Sequence, residues 1–130
     1  MSLPNGANGY QVGDGNLNEI VMSPQAAPVA KTAAATLTPD ELANGIITYN
    51  GLAANLIVPL GTDLDAAFGS LKVNSSFEFS IINTGAAIAT LTGNTGCTIV
   101  GVAAVAATSS CLFRVRKSGT GTYVFNRIAG

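Results

Sequence analysis

The sequence predicts an all-β fold: a β-sandwich or jelly roll of about seven or eight short antiparallel strands, preceded by an extended N-terminal arm. Short runs of β-branched and aromatic residues recur at intervals of roughly 8–12 residues, separated by Gly and Asn turns, which is typical of all-β domains. The first 35 residues hold one short patterned island and are otherwise rich in Gly, Asn, Pro and Ala. We therefore place an arm and linker at residues 1–35 and the β domain at residues 36–130.

The arm begins with a turn-rich stretch of Gly and Asn around Tyr10. The segment Leu17–Met22 is apolar enough to need a surface to lie on, and Ser23–Lys31 is a Pro/Ala linker. Fully extended, a 30-residue arm spans up to about 100 Å, which is enough to reach a neighbouring subunit. The alternative is a disordered terminus.

The domain contains a series of runs with the period of two that indicates half-buried strands. Phe77, Phe79 and Ile81 share one face of such a run. The predicted strands before the last hairpin are 46–49 and 55–60, joined through Asn50-Gly51, then 76–83, 87–92 and 97–101. Residues 103–110 have small side chains and fit either a strand or a loop.

Residues 110–117 and 122–128 form the clearest hairpin, because the Gly-rich turn 118–121 separates two alternating runs. A short helix is predicted at residues 63–68, with Thr62 or Asp63 as N-cap and Gly69 as its stop. A turn or single helical turn is predicted at Pro39–Leu42.

The composition favours a protein without catalytic activity. The sequence has no His and no Trp, and only 10% of its residues are charged. The lack of His excludes Ser-His-Asp and Cys-His catalysis and every His-ligated metal. We therefore assign no catalytic residue, no metal ligand and no cofactor.

The acidic pairs Asp40-Glu41 and Asp63-x-Asp65 are interpreted as helix-capping and first-turn residues, since carboxylates are favoured at helix N-termini. A glycosidase that pairs Glu78 with Asp63 or Asp65 is the formal alternative. The scarcity of aromatic residues argues against it, because sugar clefts need them.

The charges are separated along the chain. Residues 1–78 hold seven acidic and two basic residues, whereas residues 79–130 hold four basic residues and no acidic one. These halves could meet within the fold or between copies. Four basic residues are too few to predict a nucleic-acid partner. No secretory signal is recognised, and the longest apolar run, 99–107, is too short for a membrane helix, so no membrane partner is expected.

The two cysteines, Cys97 and Cys111, lie in predicted core strands. Pairing across adjacent strands is possible, but we favour two buried free thiols that act as small hydrophobic residues. The strands carry Thr, Ser, Ala and Asn where a free monomer usually places charge. This pattern favours strands that other copies or a partner surface cover.

The arm sequence Tyr10-Gln11-Val12-Gly13-Asp14-Gly15-Asn16-Leu17-Asn18-Glu19 resembles the arm of capsid decoration (cement) proteins of tailed bacteriophages. The tail 119–128 is similar to the closing strands of head-fibre and decoration domains. The resemblance implies a structural protein on the outer capsid surface of a virion, made in the host cytoplasm, commonly as a homotrimer, that clamps neighbouring major capsid subunits.

By that resemblance the arm would contact the major capsid protein. The residues expected there are Tyr10, Val12, Asp14, Asn16, Leu17, Asn18, Glu19 and Ile20. The alternative is a receptor-binding or fibre-tip β domain that recognises a host surface ligand. Its only candidate residues are Tyr49, Tyr123 and the Asp63/Asp65 pair.

Overall fold

The computed structural model describes residues 24–130, which form a β-rich fold with two mixed sheets. Its elements, in chain order, are β1 (Val29–Lys31), β2 (Ala35–Thr36), α1 (Pro39–Asn44), β3 (Ile46–Tyr49), β4 (Ala54–Ile57), α2 (Gly61–Ala67), β5 (Ser76–Asn83), β6 (Ala89–Thr92), β7 (Cys97–Val100), β8 (Ala104–Val105), β9 (Ser109–Gly119) and β10 (Thr122–Ala129). The large sheet has the order β1-β3-β5-β9-β10-β7, and the small sheet has the order β2-β4-β6-β8.

The first six strands form a coil of three turns. Each turn places one strand in the large sheet and the next strand in the small sheet. Consequently β1, β3 and β5 are parallel neighbours, and so are β2, β4 and β6.

The prediction of antiparallel strands is therefore wrong for most of the described domain. Five of its eight strand pairings are parallel and three are antiparallel. A chain that changes sheet after every strand returns to the first sheet in the same direction, so its neighbours there run parallel. The β-rich class is confirmed, with ten described strands instead of seven or eight.

Most predicted strands are present, and the β9–β10 hairpin is confirmed. The Asn50-Gly51 connection does not join neighbours in one sheet, because β3 and β4 lie in different sheets. The N–H of Asn50 donates to the carbonyl of Lys31 (3.0 Å). A Cβ on Gly51 would lie 2.1 Å from the carbonyl oxygen of Thr32, so the turn fits closely against the preceding coil turn.

The helical turn predicted at Pro39–Leu42 is present as the start of α1, which continues to Asn44. Thr38 caps it: its hydroxyl accepts from the N–H of Glu41, whose carboxylate accepts from the N–H of Thr38. The predicted N-cap of α2 is wrong, because the helix begins at Gly61 with Leu60 in the cap position and no side-chain cap. The N–H of Gly61 donates instead to the carbonyl of Thr95 (3.0 Å), so a tertiary contact fixes the start.

The core lies between the two sheets and includes aromatic side chains from the large sheet. Phe79 stacks on Phe113 with centroids 5.6 Å apart and meets the edge of Phe125 at 6.0 Å. Asn83, at the end of β5, is buried and polar, and its amide donates to the carbonyls of Ala87 (2.6 Å) and Val105 (3.0 Å). Both sheets are thus tied together without an unsatisfied amide.

The two lateral sides of the domain differ. On one side, which we call the closed side, residues 97–105 cross from the large sheet, where β7 pairs with β10, to the small sheet, where β8 pairs with β6. Arg127 covers this crossing, donating to the carbonyls of Val102 (3.0 Å) and Ala104 (3.1 Å). The two sheets end there in β7 and β8, and on the other side, which we call the open side, they end in β1 and β2.

At one end of the domain three backbone segments meet at glycines. A Cβ on Gly61 would lie 1.9 Å from the carbonyl oxygen of Gly121, and a Cβ on Gly96 would lie 2.3 Å from the same atom. The start of α2, the β6–β7 turn and the β9–β10 turn therefore touch without intervening side chains.

The boundary predicted at residue 35 stays a prediction. Within the stretch assigned to arm and linker, β1 pairs with β3, and Ala35 pairs with Leu56 of β4. These residues belong to the two sheets.

Candidate interaction surface

The outer face of the small sheet is a regular, partly exposed surface of the described domain. Its strands alternate, so that Leu56 and Leu91 enter the core while their neighbours point outward. We call this outward set the threonine face. It consists of Thr36, Asn55, Ile57, Thr90, Thr92 and Ala104.

The strand register arranges the threonine face in rows. Thr36, Ile57 and Thr92 occupy one row across β2, β4 and β6. Asn55, Thr90 and Ala104 occupy the next row, across β4, β6 and β8. Adjacent strands in a sheet are about 4.8 Å apart, so the side chains of each row stand at that interval.

A shallow groove continues the face toward the start of β4 and β6. Ala34, Ala53 and Ile88 line it together with Asn55 and Thr90 of the face. The side chain of Ile88 is 49% exposed. Short hydroxyl and methyl groups thus form a surface without long flexible side chains.

The threonine face and its groove contain no charged residue. Such a surface cannot attract a partner by long-range electrostatics, but it costs little side-chain entropy to cover. Its hydroxyls and the Asn55 amide can donate and accept hydrogen bonds to a close-fitting surface. The face can therefore bind a flat partner surface through hydrogen bonds and van der Waals contacts.

Several charged groups of the described domain are instead paired with one another. Lys31 lies 2.6 Å from Glu41, and Lys117 lies 2.9 Å from Asp65. Arg114 binds Glu78 across β5 and β9, with its Nε 2.8 Å from the carboxylate. The last two pairs join the acidic first part of the sequence to its basic second part, so those charges meet within the fold.

Asp65 fastens α2 to the β9–β10 hairpin. Its carboxylate accepts from the Tyr123 hydroxyl (2.7 Å) and from the N–H of Gly121 (2.6 Å). The hydrogen bond from Tyr123, followed by that from Lys117, holds the pKa of Asp65 below its usual value. Burial, together with the bond to Asp65, raises the pKa of Tyr123. The polar groups of this cluster bind one another and hold α2 against the β9–β10 hairpin.

The interpretation of the acidic pairs as first-turn residues is confirmed for Asp40, Glu41 and Asp63. It is wrong for Asp65, because this side chain reaches the hairpin instead of the helix end. Glu78 is paired with Arg114. No group of three potential metal-ligating side chains occurs among residues 24–130.

Both cysteines are free and buried, which confirms the free-thiol interpretation. Burial raises the pKa of the Cys97 thiol to about 11. Its Sγ lies 3.2 Å from the carbonyl oxygen of Pro59, the geometry of a weak donor in a core.

The arm residues predicted to contact a capsid, Tyr10, Val12, Asp14, Asn16, Leu17, Asn18, Glu19 and Ile20, all lie outside the described residues. The aromatic residues considered for a receptor site are placed in the core. Tyr49 is fully buried, with its hydroxyl donating to the carbonyl of Leu52, and Tyr123 is 1% exposed. Neither offers an exposed ring to a ligand.

No family model, no curated protein and no solved structure matches this chain. Neither of the helices in the described part of the chain has the length and apolar character needed to cross a membrane. The surface must therefore be interpreted from its own chemistry.

Sequence reasoning missed the threonine face, although two signals point to it. Thr and Leu alternate at 36–38 and again at 90–92, and no charged residue occurs between Glu78 and Arg114. The alternation marks strands with hydroxyls on one side. That these strands lie in one sheet depends on the coil, which the sequence pattern does not reveal.

Proposed function

We propose that this protein is a structural virion protein that binds the outside of a phage capsid and stabilises neighbouring major capsid subunits. In this proposal its two sheets form the sandwich of a decoration protein. The observation that supports it most is the uncharged threonine face, whose short side chains suit a flat, repetitive surface. The resemblance of the arm sequence to decoration-protein arms supports it independently of the structure.

Binding to a lattice suits a surface of this kind. Many identical weak contacts provide avidity, so no single contact needs large aromatic anchors. The threonine face has none: its largest side chain is Ile57. Because several charges of the domain are paired internally, we expect capsid binding to weaken little as the salt concentration rises.

The test uses particles assembled from the major capsid protein encoded in the same genome. The purified full-length chain is mixed with the particles and sedimented, and bound protein is quantified against concentration. Asn55→Lys places a charge in the middle of the threonine face. Thr98→Lys places the same charge on an exposed residue of β7 in the other sheet and serves as the matched control.

We expect saturable binding of the wild-type chain and of Thr98→Lys, and at least tenfold weaker binding of Asn55→Lys. Circular dichroism and thermal melting establish that both variants are folded. Absence of particle binding by the wild-type chain would refute the capsid role. Equal binding by both variants would show that the threonine face is not the contact surface.

A further inference from the structure

Among residues 24–130, the open side ends with two strand edges that pair with no described strand, one in each sheet. In a parallel ladder, alternate residues of a strand bond to each neighbour. The carbonyl of Lys31 accepts from Asn50 (3.0 Å), so the backbone groups of Ala30 point away from β3. Likewise, the N–H of Leu37 donates to Ile57 (2.7 Å), so the backbone groups of Thr36 point away from β4.

Neither edge carries the features that usually prevent edge pairing, such as an outward Lys or an inserted bulge. Lys31 is the charged residue of β1, and it turns back to Glu41 at 2.6 Å. The exposed side chains along the edge are small and uncharged: Ala30, Ala33, Ala34 and Thr36. On the closed side, in contrast, the Arg127 side chain occupies the carbonyls of Val102 and Ala104.

We propose that the open side binds a second copy of this chain through antiparallel pairing of β1 with β1. The Ala30 residues of the two copies face each other and exchange both N–H···O bonds, the arrangement of a hydrogen-bonded antiparallel pair. A two-fold axis normal to the sheets passes between them. The same axis brings the two β2 edges side by side, so both sheets continue across the contact. This inference does not depend on capsid binding.

The charge distribution favours a second copy over a different partner. Residues beside a two-fold axis face their own counterparts, so any charge there would face a like charge. The edge is free of that repulsion, because its one charged residue is paired within its own chain. Small side chains also allow the two copies to approach to the spacing of neighbouring strands.

The experiment measures the solution mass of the full-length protein by chromatography with light scattering over a range of concentrations. We expect a dimer of about 26 kDa, since one chain has a mass of 13.0 kDa. Ala30→Lys and Ala30→Glu each place like charges across the axis, and each should weaken the dimer at least tenfold. An equimolar mixture of the two variants should restore it, because Lys then faces Glu.

The matched pair Thr98→Lys and Thr98→Glu, on the exposed surface of β7, should leave the dimer unchanged. A monomer at every concentration, or the trimer of about 39 kDa that the decoration-protein resemblance implies, would overturn the proposal. A dimer that the Ala30 variants do not weaken, or that their mixture does not restore, would also overturn it.

One further variant addresses the arm as the competing occupant of the edge. If the full-length chain is a monomer and deletion of residues 1–23 produces the dimer, the arm covers β1 in its own chain. That result would refute pairing of copies in the full-length protein. A dimer in both forms supports the proposal. None of these results depends on capsids, so the failure of this inference and the failure of the capsid role are distinguishable.

Discussion

The two sides of the domain are built differently: the coil begins at the open side with β1 and β2, whereas β7 to β10 form the closed side. Toward the closed side lie β9, with 11 residues, and β10, with 8, as many as β5, and their large aromatic side chains; the sheets end there in β7 and β8, with four and two residues. The open side ends in strands of three and two residues with mostly small side chains. From this difference we expect more of the stability to come from β9 and β10 than from the short strands β1 and β2.

The largest expected effect tests where the stability lies. Phe125 of β10 is fully buried and meets the edge of the Phe79 ring in the core, so Phe125→Ala should lower the free energy of unfolding by about 3–5 kcal/mol. Val29 of β1 is only half-buried, and Val29→Ala should cost about 1 kcal/mol. Urea denaturation followed by circular dichroism measures both. If both variants lost the same free energy of unfolding, the two sides would contribute equally to stability and the expected difference would be wrong.

A smaller effect is expected where Arg127 covers the crossing on the closed side. Its guanidinium donates to three carbonyls, those of Val102, Ala104 and Gly130. Arg127→Gln removes most of these bonds and should cost about 1–2 kcal/mol. Lys72→Gln, at an exposed residue between α2 and β5, should cost less than about 0.5 kcal/mol, as exposed substitutions usually do. Urea denaturation of both variants shows whether the loss of stability comes from the Arg127 hydrogen bonds or from the loss of a positive charge.

The smallest effect concerns pH. The folded state holds the pKa of Asp65 below its unfolded value, so the stabilisation is present at neutral pH and is lost as the pH falls through the folded pKa. The melting temperature should therefore decrease as the pH drops below about 4. Asp65→Asn should melt a few degrees lower at pH 7 and lose less on acidification.

Asp63→Asn supplies the control for that measurement. It removes a carboxylate from the same helix, where the side chain is exposed in the first turn. Its melting temperature at pH 7 should match that of the wild-type chain. If Asp65→Asn also matches the wild type across the pH range, the fastening between α2 and the hairpin contributes nothing.

The sequence predicted the elements better than their arrangement. The β9–β10 hairpin and the Phe77–Ile81 face follow from local alternation, which any single strand displays. The parallel coil could not be predicted this way, because it depends on which sheet each strand joins. The start of α2 illustrates the same limit. Gly61 begins the helix through a bond to Thr95, a contact far away in sequence.

The candidate surface was predictable only in its general character. The low charge indicated that strands would be covered, and the Thr-Leu alternation was visible at 90–92. The rows of the threonine face arise only when β2, β4 and β6 become neighbours. Long-range pairing, rather than residue preference, produced the face.

The meeting of Gly61, Gly96 and Gly121 has a consequence for how this chain can change during evolution. Turns rich in glycine are usually the places where sequences diverge and insertions accumulate. Here a single added methyl group at Gly61 or Gly96 would collide with the carbonyl of Gly121, so drift in either turn is blocked by the third turn. Exposed positions outside these contacts, such as Leu52, which is 85% exposed, are not constrained in this way.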